Sequence, residues 1–203
     1  DVADDLTIEL QLLTLALAAG INDASTFPDY RVFVSNQTGN TALLAVGALG
    51  LSSEGHYLPN IAVSLGVFIL GGLVFGQIGA HVGRRRKAWL LATNAVQTAI
   101  FFVGVALRQW FAGSEQRGAH AWAVITFLAF ASGGQVAMAR TVDLPQIPTA
   151  MVTSAYVDML IDPEILSLHD RPRNRRLSFV LCLLVGSFIG ACTYAYADPT
   201  LAL

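Results

Sequence analysis

Four stretches of the chain carry no charged residue, at 61–80, 88–107, 119–139 and 177–197, and each is 20 or 21 residues long. At 1.5 Å of rise per residue, about 20 apolar residues cross a hydrocarbon core ~30 Å thick. Each stretch is therefore expected to be a membrane-spanning helix. A fifth apolar stretch, 6–21, is more polar because it contains Glu9 and Gln11. The stretches are too long for strands, and nothing alternates at period two.

Between the long stretches lie two shorter ones. Residues 34–44 read VSNQTGNTALL, with Ser35, Asn36, Gln37, Thr38 and Asn40 placed directly before a run of Leu and Ala. The second short stretch, 148–161, follows Pro145 and Pro148 and carries Asp158. The chain can be laid on itself. Gly20 falls on Gly134, Asp29 on Asp143, Ser64 on Ser178, Gly72 on Gly186 and Gly76 on Gly190, each pair 114 residues apart. With one residue inserted, Thr38, Gly39 and Asn40 fall on Thr153, Ser154 and Ala155. The expectation is an internal duplication within one transmembrane domain covering 1–203. Repeat one covers about 6–83, a linker helix 88–107, and repeat two about 119–197. Each copy has a long helix, a short polar-interrupted helix (37–51 and 148–161) and a second long helix. Paired short, Gly/Pro-interrupted segments in two halves are a pointer to a transporter site.

Composition agrees with a membrane class. The chain is 54 % hydrophobic and 13 % charged, with mean hydropathy +0.57, against about 25 % charged in a soluble domain. The fold class expected is an all-α integral membrane bundle of about six spans, within a range of five to seven. A net charge of −2 with no soluble basic face makes a nucleic-acid partner unexpected. The first apolar stretch follows acidic rather than basic residues, so no signal peptide is expected. Cys182 and Cys192 would lie about 15 Å apart on one helix, too far for a disulfide.

Charge also bears on topology. Eight of the twelve Lys and Arg residues fall in two clusters, 84–87 and 171–176. If both short segments cross the membrane, there are seven spans, parallel repeats and clusters on opposite faces. If both are re-entrant, there are five spans, inverted repeats and both clusters on one face. One crossing alone gives six. Short basic loops favour the cytoplasm, which favours the re-entrant arrangement and a cytoplasmic position for both clusters.

Several side chains carry candidate chemistry. Asn, Ser and Thr before a first turn can cap its free N–H groups, and Gly39 permits close approach. The SNQTGN stretch is thus either a buried cap or a substrate site facing the positive helix end. Asp23, Asp29, Asp143 and Asp158 are ionisable groups near membrane segments, where they default to a functional hypothesis. Asp29 and Asp143, at corresponding positions, could bind a cation or relay protons. The plainer alternative pairs Asp29 with Arg31 and Asp143 with Arg140. Asp158, inside the second short helix, is expected to be buried. Gly72, Gly76, Gly186 and Gly190 put small residues on one face of each long helix, for packing within the chain or between copies in a homo-oligomer. His56, His81, His120 and His169 show no metal-ligand spacing, and no nucleophile with an adjacent base can be named. No metal, cofactor or enzymatic activity is expected.

The strings GINDASTF and FVSNQTGN in the first half, and RTVDLPQIPTAMVTSAYVDMLIDPEIL with RPRNRR in the second, resemble the YoaK-like membrane family (domain of unknown function 1275), and its fungal branch in particular. The resemblance covers residues from about 6 to 197. It implies a small polytopic membrane protein, usually described with about six spans, and supplies no activity. Matching motif positions are Gly20, Asp23, Thr38, Gly39, Asn40, Gln135, Arg140, Pro148, Thr149, Thr153 and Asp158.

The leading functional expectation is a small-solute transporter or permease, embedded in a lipid bilayer, with its site at the repeat interface. Asp23, Asn36, Thr38, Gly39, Asn40, Gln135, Thr149, Thr153 and Ser154 are the candidate substrate contacts. Asp29, Asp143, Asp158 and Arg140 are the candidates for ion or proton coupling. The alternative is a non-transporting scaffold or accessory subunit, in which the polar segments are internal packing. The shared-site idea requires Thr38 and Thr153 to approach one another around a polar cavity.

Overall fold

The structure, a computed structural model, describes residues 6–51, 57–111, 117–142, 144–163 and 170–196. The described residues form seven helices and no strand: α1 (Leu6–Tyr30), α2 (Gln37–Ala48), α3 (Leu58–Val82), α4 (Lys87–Trp110), α5 (Ala119–Thr141), α6 (Val152–Leu160) and α7 (Arg171–Tyr196). Four of them, α3, α4, α5 and α7, are long and apolar enough to cross a membrane.

Local sequence explains most boundaries. Pro59 opens α3, where its missing N–H leaves no bond unmade. Gly83, at φ 110, ends α3 and donates its N–H to Gly79 O. α1 differs most from expectation, running on past residue 21 through Asp23, Pro28 and Asp29 to Tyr30. Ser25 and Thr26 hydroxyls donate back to the carbonyls of Ile21 and Asn22, at 2.7 and 2.8 Å, which keeps these polar side chains inside the helix. The helix ends where Arg31 takes φ 53 and gives its N–H to Phe27 O. α6 starts later than expected, because Thr149 sits at φ 60 and breaks the helical run after Pro148.

Side-chain pairings fix the direction of each long helix. Glu9 pairs with Arg175 near the starts of α1 and α7, and Asp29 accepts from Tyr194 near their ends, so these helices run parallel. Trp122 donates to Asn60 at the starts of α5 and α3, and Gly76 faces Ala137 near their ends, so this pair is parallel too. Asn60 donates to Tyr30 O at 3.1 Å, placing the start of α3 at the end of α1. α1 and α3 therefore run in opposite senses. α4 returns along α5, with Gly104 against Leu128 and Gln97 against Gly134. Both basic clusters consequently lie at one end of the bundle, called here the basic end.

Glycine permits the closest approaches. A Cβ at Gly71 or Gly133 would overlap the carbonyls of Phe130 and Phe68, joining α3 to α5. A Cβ at Gly20 or Gly186 would overlap those of Leu183 and Leu17, joining α1 to α7. The small-residue faces found in the sequence are thus filled within the chain: Gly72 and Gly76 face α5, and Gly186 and Gly190 face α1. α5 is the central helix, 56 % of its apolar window being buried against 17–22 % in α3, α4 and α7. Large apolar side chains such as Leu70 and Leu73, Phe102, and Leu184 and Phe188 point outward. Faces of that kind suit a lipid surround and would be unusual in water.

Two apolar clusters occupy opposite ends of the bundle. Ile8, Leu12, Val142, Ile147 and Phe179 gather at the basic end. Tyr30, Val32, Ile61, Ile125 and Leu128 gather at the far end. Between them, at mid-depth, lie the polar side chains Asn22, Gln97, Ser132 and Gln135 among apolar neighbours such as Phe75 and Ala131.

Candidate functional site

The stretch 31–36 leaves the helical path, so its backbone groups need partners from elsewhere. Asp23, on α1, supplies most of them. Its carboxylate accepts from Val34 N–H (2.9 Å), Ser35 N–H (2.8 Å), Ser35 Oγ (2.7 Å) and Asn36 N–H (3.1 Å). Asn40, fully buried, accepts from Phe33 N–H at 3.0 Å and donates to Phe33 O at 2.6 Å. Ser64, on α3, also donates to Phe33 O, at 2.8 Å. Asn36 Oδ1 accepts from Gly39 N–H at 3.3 Å and caps α2. Gly39 lies against the Phe33 ring, which itself stacks on Phe27 with centroids 4.6 Å apart. Thr38 is exposed. The polar run thus ties the re-entering backbone to α1 and α3.

The start of α6 lies at the other end of the molecule, packed on α7 beside Phe179 and Val180. Thr149 is buried, and its Oγ1 has no hydrogen-bond partner. Thr153, Ser154 and Asp158 are exposed, since the nine-residue α6 buries Ala155 alone. Burial of Asp158, expected from the sequence, is therefore corrected. Arg140 is exposed, with Nη2 3.7 Å from Met151 Sδ. Asp143 lies outside the described residues. The starts of the two short helices form no common site, because α2 packs on α3 near the far end and α6 on α7 near the basic end.

The partner of Asp29 also differs from expectation. Its carboxylate is held by Arg108 of α4 and by the Tyr194 hydroxyl of α7. Arg31 instead lies 6.0 Å over the Phe27 ring. Arg108 is 4 % exposed, donates to Ser25 O at 3.3 Å, and leaves Nη1 buried without a partner. This cluster ties α1, α4 and α7 together at the far end.

Below that tie α1 and α4 separate, and a cleft opens over α5. Its inner part has a volume of about 250 Å³ and is lined by Asn22, Asn94, Gln97, Thr98, Ser132 and Gln135, together with Leu15 and Phe101. An outer part of about 240 Å³, lined by Thr7, Gln11, Lys87 and Met138 among others, shares Leu15 and Asn94 with it and extends to the basic end. Gln135 Nε2 donates to Leu15 O at 3.2 Å, and Ser132 Oγ to Leu128 O at 2.9 Å. Gln97 is 5 % exposed, and its Nε2 has no partner. Of the residues singled out from the sequence, only Gln135 lines the inner cleft. The signal for the others is the spacing of polar groups inside uncharged runs: Asn94 with Gln97 and Thr98, and Ser132 with Gln135. Residues three or four apart share one helix face.

An all-helical chain whose long apolar helices surround a polar cleft has the architecture of a helical membrane protein. It belongs to the family described as "Protein of unknown function (DUF1275)", whose family model matches residues 11–203. No curated protein and no solved structure matches the chain.

Proposed function

We propose that the protein is a small-solute transporter or permease whose substrate site is the inner cleft between α1, α4 and α5. The observation that carries this reading is Gln97, a buried carboxamide that lines the mid-depth cleft and whose Nε2, set against Gly134, has no partner. A polar group left unpaired costs free energy, and a bound solute would recover it. The cleft reaches the basic end and is closed at the other by Arg108, Asp29 and Tyr194, as one state of an alternating-access cycle requires. On this reading Asp29 closes the far end rather than coupling an ion.

The reading includes a topology. α1, α3, α4, α5 and α7 cross the bilayer, while α2 and α6 are re-entrant and leave the chain on the side it came from. The two halves are inverted repeats that exchange partners, α1 lying on α7 and α5 on α3. The matching glycine approaches at Gly20 with Leu183 and at Gly133 with Phe68 support this. By the charge rule the basic end is cytoplasmic. From the resemblance of its sequence strings we also read the chain as a YoaK-like protein of the fungal branch, and as a non-enzyme.

The test is reconstitution into liposomes with a solute panel, beside labelling of an Asn94→Cys variant. Solute flux, together with labelling from the basic side that substrate suppresses, is the expected result. Absence of flux for every solute would reject the reading. A second reading, a non-transporting scaffold, is favoured by the densely bonded Asp23 knot. It expects no flux and no suppression of Asn94→Cys labelling by any solute.

A further inference from the structure

Resting on that reading, we infer that the cleft selects a small uncharged solute that both donates and accepts hydrogen bonds, such as a short polyol or urea-like amide, and excludes ions. Of the twelve residues lining the inner part, Asn22, Asn94, Gln97, Thr98, Ser132 and Gln135 carry a carboxamide or hydroxyl, the other six are apolar, and none carries a charge. Lys87, the nearest cation on the outer part, lies about 10 Å from Asn94 along α4. Arg108, about 16 Å beyond Gln97 on the same helix, is engaged with Asp29. An ion at this depth would thus meet dipoles but no counter-charge, and an isolated charge at mid-membrane is strongly disfavoured.

The wall offers bonds of both kinds. Gln97 Nε2, buried against Gly134, is a donor with no acceptor, and a solute would meet it by drawing the side chain toward the cleft. Gln135 and Ser132 spend donors on Leu15 O and Leu128 O, which leaves Gln135 Oε1 and Ser132 Oγ to accept. Hydroxyl and amide solutes answer both needs at once, while Phe101 offers an apolar surface to their carbon skeleton. The volume of about 250 Å³ is below the roughly 300–1,000 Å³ of pockets for drug-sized ligands, which limits the solute to a small molecule.

The experiment measures uptake of radiolabelled erythritol, urea, lactate and choline by liposomes holding the full chain, with and without an imposed potential or proton gradient. Erythritol or urea should enter faster than into protein-free liposomes, with no response to either gradient, while lactate and choline stay out. Gln97→Leu should slow that uptake by about threefold to tenfold, the value of one neutral hydrogen bond, without lowering the unfolding temperature in detergent. Gln97→Glu, which puts a carboxylate on the wall, should depress neutral uptake further and admit choline. Uptake of lactate or choline in place of the neutral solutes overturns the inferred class and leaves the transport reading standing. Neutral uptake untouched by both Gln97 variants overturns the assigned site. Uptake of nothing removes the transport reading, and this inference with it.

Discussion

At the start of α2 the buried side chain is Asn40, bound to Phe33 and within reach of Ser64 on α3. At the start of α6 it is Ala155, set in an apolar cluster with Ile147 and with Phe179 on α7. Both short helices dock on the next long helix, one by hydrogen bonds and the other by apolar contact. Asp23 serves the first, whereas Thr149 and Gln146 in the second leave buried oxygens without partners. The same architectural step can thus be held by either chemistry. The polar version also dictates geometry, because each donor must meet its acceptor. Polar residues at a helix start are therefore weak evidence of a ligand when their bonds close internally, and the better pointer is an unpartnered polar side chain that also lines a cleft, as Gln97 does.

That contrast can be broken from either side. Asp23→Ala should have the largest effect, stranding three backbone N–H groups and a hydroxyl. At about 1–3 kcal/mol for each unsatisfied group, a loss of roughly 4 kcal/mol or more is expected in denaturant unfolding in detergent. Phe179→Ala, on the apolar side, should cost about 3–5 kcal/mol through the cavity it leaves. The lesion should be local, so protease protection of α6 falls while that of α2 holds. Asn40→Leu should cost roughly 2–3 kcal/mol, since Phe33 N–H loses its partner and Phe33 O loses one of its two donors. Combining it with Ser64→Ala should cost more than the two singles added, because only the double variant leaves Phe33 O without a donor. Thr149→Val should change stability by less than about 1 kcal/mol in either direction, since the hydroxyl it removes makes no bond. A large loss there would mean the two docks are not chemically opposite.

The long helices were legible because apolar length and the absence of charge are local properties. The stretches 61–80, 88–107, 119–139 and 177–197 lie within or almost within α3, α4, α5 and α7. Both short helices were legible too, and the paired glycines pointed to helix packing. The first apolar stretch read from the sequence ends at residue 21, before Asp23 and Asp29, whose plainer reading is as interfacial loop residues. α1 continues because Ser35 and the backbone of 34–36 receive one carboxylate, and Arg108 and Tyr194 the other. The candidate site was only partly legible. Asp23 and Asn40 were singled out as substrate contacts, and in the structure they bind the chain to itself. Asn22, Asn94 and Gln97 were passed over because a lone carboxamide in an apolar run carries little signal until its neighbours are known.

By itself the sequence determined that this chain makes long apolar helices, two short ones beside them, and basic turns between some of them. Those outcomes follow from backbone hydrogen bonding within a helix and from runs of side chains that avoid water. Only the tertiary structure decided which polar groups close on one another and which stay open. Arg108 meets Asp29 across 79 positions, and Gln135 meets Leu15 across 120. Pairings of that reach depend on how helices pack, and no local pattern encodes them.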